Sequence, residues 1–139
     1  MIKKIFFDSA PLMYFLDENS FFKDKTSKIF KDILKSRAKI ITSPISCKEY
    51  LTYPYRNDDK KSIENFWQFI KKFRVNIRRI DNAVAVEAAK IRAEYRHFKT
   101  MDAFQLAAAV CNGCDLFLTN DKQLKQFEKI SCMTVEEWS

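Results

Sequence analysis

The chain has a single glycine, Gly113, in 139 residues. A phosphate-cradling loop or a dinucleotide fingerprint needs several glycines within a few residues, so nucleotide cofactors held in those ways are excluded. Histidine is equally scarce. A Ser–His or Cys–His hydrolase would have to use His97, and no strand-to-helix nucleophile elbow accompanies it. The four cysteines, Cys47, Cys111, Cys114 and Cys132, follow no regular spacing. The pair Cys111-Asn112-Gly113-Cys114 lacks the second ligand pair that a structural zinc uses, and Gly113 reads better as a helix terminator; ordinary reduced thiols of a cytoplasmic protein are expected. No apolar run approaches the length of a bilayer span, and Asp8, Asp17 and Glu18 interrupt any signal-peptide core, so a soluble chain with no membrane partner is expected.

What the sequence does contain is apolar and basic. Hydrophobic residues make up 47% of the chain, 13 of them Phe, which places it among globular rather than disordered proteins despite its charge. A chain of this length forms one domain, residues 1–139, burying about two-thirds of its unfolded surface around a Phe-rich core. The net charge of +7 is spread over both halves rather than gathered in a tail. Dispersed Lys and Arg suit a polyanionic partner, and nucleic acid leads that class.

Hydrophobic periodicity predicts alternating strands and helices. Ile2 to Phe7 reads as a buried strand stopping at Asp8-Ser9, and Pro11 to Leu16 as a short helix ending at Asp17-Glu18-Asn19. From Asp24, the positions Ile29, Phe30, Ile33 and Leu34 share one helical face beside a strongly basic one. Ile40 to Thr42 is a second strand. Ser43-Pro44 then opens a helix carrying Glu49 and stopping at Pro54. A long amphipathic helix follows, with Ile63, Phe66, Trp67, Ile70 and Phe73 in its stripe, before a third strand at Val75 to Ile80. Asp81 caps a helix with Val84, Ala88 and Ile91. Thr100 is expected to cap an alanine-rich helix, Met101 to Val110, ended by Asn112-Gly113. Asp115 to Thr119 is a fourth strand, Lys122 to Phe127 a short helix, and Ser131 to Thr134 a fifth strand. This alternation predicts an α/β fold with a parallel sheet covered on both faces.

In such a sheet, residues just beyond the strands gather at the carboxyl edge. Asp8 closes the first strand and Asp121 follows the fourth. Glu49 lies in the helix after the second strand, and Asp102 in the first turn of the alanine-rich helix. Taken singly, each is explained as a turn residue, a helix cap, a solvent-facing helical acid or a complement to a helix dipole. Together, four carboxylates at one crevice would raise one another's pKa and destabilise the fold unless a cation neutralised them. Oxygen ligands of this kind suit Mg²⁺ or Mn²⁺.

Four blocks carry a resemblance to a known family: Ile5-Phe6-Phe7-Asp8-Ser9; Ser43-Pro44 leading to Glu49-Tyr50-Leu51; Met101-Asp102-Ala103-Phe104-Gln105-Leu106-Ala107-Ala108-Ala109; and Phe117-Leu118-Thr119-Asn120-Asp121. The chain resembles the PIN-domain ribonucleases over nearly its whole length, and especially the virulence-associated C type toxins of bacterial toxin–antitoxin pairs. The last two blocks are the specific ones. His97-Phe98-Lys99-Thr100-Met101 departs from the family, whose members often have a loop glycine and a proline immediately before the acid.

The resemblance implies a three-layer α/β/α sandwich with a five-stranded parallel sheet in the order 3-2-1-4-5. It further implies metal-dependent endoribonuclease activity, with Asp8, Glu49, Asp102 and Asp121 as catalytic, metal-binding acids, Mg²⁺ or Mn²⁺ as cofactor, RNA as substrate, and products ending in 5′-phosphate and 3′-hydroxyl. A protein antitoxin folding across an apolar groove at Leu12 to Leu16 and Ile63 to Phe73 is implied as a partner, and so is a homodimer, which the many large aromatics also favour. The competing reading is a non-catalytic RNA-binding or interaction module on the same fold. Binding alone would favour Lys and Arg in the crevice over four acids.

Overall fold

A computed structural model describes residues 2–17 and 21–139. Every strand is short, and each is fixed by a different set of neighbours. Strand β1 (Lys4–Phe7) lies at the centre, paired in parallel with β2 (Lys39–Thr42) on one side and β4 (Leu116–Thr119) on the other. Strand β3 (Asn76–Ile77) extends the β2 side and β5 (Ser131–Thr134) the β4 side, again in parallel. The order is 3-2-1-4-5, as the resemblance implied.

Successive strand residues face opposite sides of a sheet, and β1 builds one core with each face. Phe6 stacks on Phe117 with ring centroids 5.3 Å apart, on the side covered by α5 (Asn82–Glu94) and α6 (Thr100–Cys111). Ala103, Ala107, Ala108 and Ala109 are fully buried there, because side chains of one carbon let α6 lie close to the sheet. Ile5 and Phe7 point the other way, into a core shared with α1 (Ser9–Leu16), α2 (Lys23–Ser36), α3 (Pro44–Arg56) and α4 (Lys60–Lys72). Helices therefore cover both faces of the sheet, which is the expected three-layer α/β/α arrangement. Trp138 closes this second core from the C-terminal end and donates its indole N–H to Asp32 Oδ2 at 2.8 Å.

Several elements differ from their sequence expectation. Helix α3 does not stop at Pro54 but continues to Arg56 with Pro54 buried inside its last turns. The missing N–H costs one intrahelical bond only a turn from the end, where burial of the ring offsets it. Strand β3 is two residues long rather than six, because β2 itself ends where the Thr42 carbonyl accepts from Arg78 N. Thr100 is not the N-cap of α6: Lys99 holds that position, and Thr100 Oγ1 instead accepts from Arg92 Nη1 at 2.8 Å. The segment Lys122–Gln126 forms a 3₁₀ turn instead of an α-helix. Gly113 ends α6 as expected, with a φ of 65° that a side chain would strain. The end of the first helix expected at Asp17-Glu18-Asn19 lies mostly outside the described residues, Asp17 being its last described position.

Candidate active site

Most of the buried polar side chains, Ser9, Thr42, Ser43, Ser46, Gln105 and Thr119, gather at the carboxyl edge of the sheet. Asp8 leaves β1 as the N-cap of α1, and its backbone N–H still belongs to the sheet, donating to the Leu118 carbonyl at 2.9 Å. The carboxylate is partly buried and held from three directions. Ser9 N donates to Oδ1 at 2.9 Å, Gln105 Nε2 stands 3.4 Å from the same oxygen, and Thr119 Oγ1 donates to Oδ2 at 2.8 Å. Burial pushes its pKa up to about 6, with the charge of Asp102 adding to the rise, while the bonds from Thr119, Ser9 and Gln105 oppose it.

Asp102, in the first turn of α6, is also partly buried. Burial raises its pKa, the charges of Asp121 and Glu49 raise it further, and the Lys99 ammonium pulls the other way. Asp121 caps the 3₁₀ turn beyond β4, accepting from Gln123 N at 3.0 Å, while its own N–H donates to Thr119 Oγ1 at 3.1 Å. One threonine thus touches both strand-end acids. Glu49 sits partly buried within α3, bordering a hollow of about 380 Å³ lined also by Met13, Tyr50 and Tyr53.

The four acids singled out in the sequence therefore lie in one electrostatic neighbourhood with Asp102 as its common member: Asp121 and Glu49 raise the Asp102 pKa, and Asp102 raises that of Asp8. They are not drawn into a ligand shell: among the described residues, no group of three or more His, Cys, Asp or Glu side chains stands close enough to hold a metal ion. The donors themselves are all carboxylate oxygens, which suits a hard divalent cation.

The thiols offer no competing chemistry. No described cysteine is in a disulfide, and burial pushes Cys114 up to about 11 and Cys132 up to about 12, so both stay protonated. His97 is exposed, its ring edge against Phe98, and belongs to no catalytic pair among the described contacts.

The sequence matches the PIN domain family over residues 5–130. The chain belongs to the PIN-domain family. PIN domains are generally nucleases. Solved structures with the same fold include VapBC2 from Rickettsia felis bound to a DNA fragment from its promoter, at a TM-score of 0.79 and 12% identity, covering 94% of this chain and 98% of that one. A toxin–antitoxin complex from Klebsiella pneumoniae matches at 0.65 and 20% identity, covering 94% of this chain and 97% of that one. DNA-bound VapBC from Salmonella typhimurium matches at 0.65 and 19%, covering 97% and 99%. At these identities the likeness is one of fold. Comparison with curated protein sequences returns no match.

Thr119 and Gln105 both lie within the sequence motifs, yet neither is assigned a role by them. The available signal was polarity in an apolar setting: Gln105 lies three residues after Asp102, hence on the same helical face, amid Phe, Leu and Ala.

Proposed function

We propose that this PIN domain is an Mg²⁺- or Mn²⁺-dependent endoribonuclease, acting in the cytoplasm as the toxin of a toxin–antitoxin pair. The observation that carries the reading is the mutual electrostatic coupling of Asp8, Glu49, Asp102 and Asp121 at the carboxyl edge, with the Asp8 pKa raised to about 6. A stable fold does not benefit from such an arrangement, whereas a cation site does. Asp8 and Asp102 would hold the metal, directly or through water, with Glu49 and Asp121 completing the acidic shell. When bound, a divalent ion there lowers the pKa of water and offsets negative charge on a phosphate. The protein's part is to orient. Thr119 fixes the Asp8 carboxylate against β4, and the cap at Asp121 fixes the fourth acid one turn away. Lys99, beside Asp102, supplies positive charge for an incoming phosphodiester, and the net +7 of the chain draws RNA to it.

An antitoxin protein is the expected partner, since the similar folds include toxin–antitoxin complexes. Helix α4, one of the two helices singled out for that contact, half-exposes Trp67. Its last residue, Lys72, borders a hollow of about 620 Å³ whose lining is mixed, Phe30, Ile33, Leu34 and Phe73 beside Arg37, Lys39 and Arg74. A homodimer is expected in solution.

The test is incubation of the purified protein with total RNA in Mg²⁺, in Mn²⁺ and in chelator. Endonucleolytic products ending in 5′-phosphate, formed with metal and abolished by chelator and by Asp102→Asn, are expected. RNA bound but intact under all three conditions would replace this reading with the non-catalytic one.

A further inference from the structure

Behind the acids lies a network of buried polar side chains that the proposed chemistry has not used. Gln105 is 2% exposed and stands at its centre. Its Nε2 donates to Ser46 Oγ at 2.8 Å and faces Asp8 Oδ1 at 3.4 Å, while its Oε1 accepts from Ser43 Oγ. Ser43 in turn accepts from Ile45 N at 3.1 Å, the N-cap of the helix that bears Glu49. Among the described residues, no buried side-chain nitrogen or oxygen in the protein lacks a partner.

The proton directions in this network are determined by its ends. Thr42 Oγ1 lies 2.8 Å from the Phe7 carbonyl, which only accepts, so the single Thr42 hydroxyl proton goes there. Ser46 Oγ, 2.9 Å from Thr42 Oγ1 and 3.4 Å from Ser9 Oγ, then has its own proton for the nearer Thr42 oxygen and lone pairs for Ser9 and Gln105. Asp8 Oδ1, when ionised, also only accepts. The amide NH₂ therefore has to face Ser46 and Asp8, and its carbonyl has to face the Ser43 hydroxyl. The other orientation would set a carbonyl against a carboxylate.

We propose that Gln105 is a positioning residue for the acid site, a bridge that sets Asp8 on β1, the start of the Glu49-bearing α3 and the Asp102-bearing α6 in fixed relation. It is not a catalytic residue, because it is sealed from solvent. The role rests on the nuclease reading, yet the bridge itself is measurable without metal or RNA. Losing a group that hydrogen-bonds a metal-binding side chain costs about 10–100-fold in metal affinity or activity.

Two variants separate its functions. Gln105→Met keeps length and loses both polar ends; Gln105→Glu keeps shape and the acceptor for Ser43 but replaces the two amide protons that face Ser46 and Asp8 by at most one O–H. Three measurements are made on wild type and both variants: Mn²⁺ dissociation constant by titration of the metal alone, kcat and KM on a defined RNA, and the Asp8 side-chain carboxyl ¹³C resonance in chelator. Folded variants are expected to lose about 10-fold or more in Mn²⁺ affinity and kcat with KM nearly unchanged, and to shift the Asp8 resonance. A folded variant with wild-type Mn²⁺ affinity and an unmoved Asp8 resonance overturns the proposal. So does failure of both variants to fold, which would make Gln105 a core-stabilising residue. If the wild type neither binds Mn²⁺ nor cleaves RNA, the nuclease reading falls, and the Asp8 resonance alone decides for or against the bridge.

Discussion

Replacing Asp8 by Asn should stabilise the metal-free protein while abolishing its activity. Asp8 moves from an ordinary value of 3.8 to about 6 in the folded chain, chiefly because burial disfavours its charge. The folded state therefore binds more protons than the unfolded state between those two values, and stability falls as pH rises across them. Below pH about 4 the penalty is absent, since the carboxyl is protonated in both states; above about 6 it is fully present. A shift of this size corresponds to about 3 kcal/mol as an upper bound. Asn removes the charge but can keep the acceptor for Ser9 N. Its amide nitrogen then meets Thr119 Oγ1, which must turn its own proton away, so about 1–2 kcal/mol of the gain is expected to survive. For a chain of this size that raises Tm by about 3–8 °C. The assay is thermal unfolding in chelator from pH 4 to 8, on wild type and Asp8→Asn, with cleavage measured in parallel. The variant should lose most of the downward slope between pH 4 and 6 and lose cleavage throughout. An equal or lower Tm at pH 8 with an unchanged slope would refute the account of Asp8 as a strained carboxylate.

Two further outcomes follow from the site. Thr119→Val removes the donor to Asp8 Oδ2 and the acceptor for the Asp121 N–H; it should raise the Asp8 pKa further, cost about 1–3 kcal/mol in chemical denaturation and lower single-turnover cleavage about 10-fold or more. Glu49→Gln and Asp121→Asn each remove a charge that raises the Asp102 pKa, so either should lower the pH at which Asp102 titrates in metal-free carboxyl NMR, and both together should lower it more than either alone.

The architecture was legible because β1 and α6 each satisfy one rule at every level. Ile5, Phe6 and Phe7 are apolar at consecutive positions, which only a strand covered on both faces tolerates, and both faces are indeed filled. The alanines of α6 foretold close approach to the sheet. Expectations failed where a local preference met a tertiary demand. Pro54 was read as a stop, yet near a helix end a buried ring offsets one lost bond. Thr100 is a good cap by preference, but Arg92 across the α5–α6 loop engages its hydroxyl and the cap falls to Lys99. Strand β3 was given six residues from its composition, although the length of a pairing is set by its partner, and β2 ends first.

The acids and the residues that hold them differ in legibility for a physical reason. An acid placed just after a strand announces itself locally, because chain direction and sheet parallelism alone bring Asp8 and Asp121 to one edge. The bridge at Gln105 joins segments 59, 62 and 97 residues away in sequence, so no window of the chain contains it. What the sequence does carry is the anomaly, a glutamine on the buried face of an alanine helix, where an amide without partners would cost about 1–3 kcal/mol. Such a residue persists only if something across the core satisfies it. Its position three residues after Asp102 limits that something to the floor of the acid site. The same geometry explains how the site tolerates its own charge: Ser9, Thr119 and Gln105 all lower the Asp8 pKa, and burial with Asp102 outweighs them. The balance leaves the Asp8 carboxyl at about 6, and a positive charge arriving beside it would offset the cost of its buried charge.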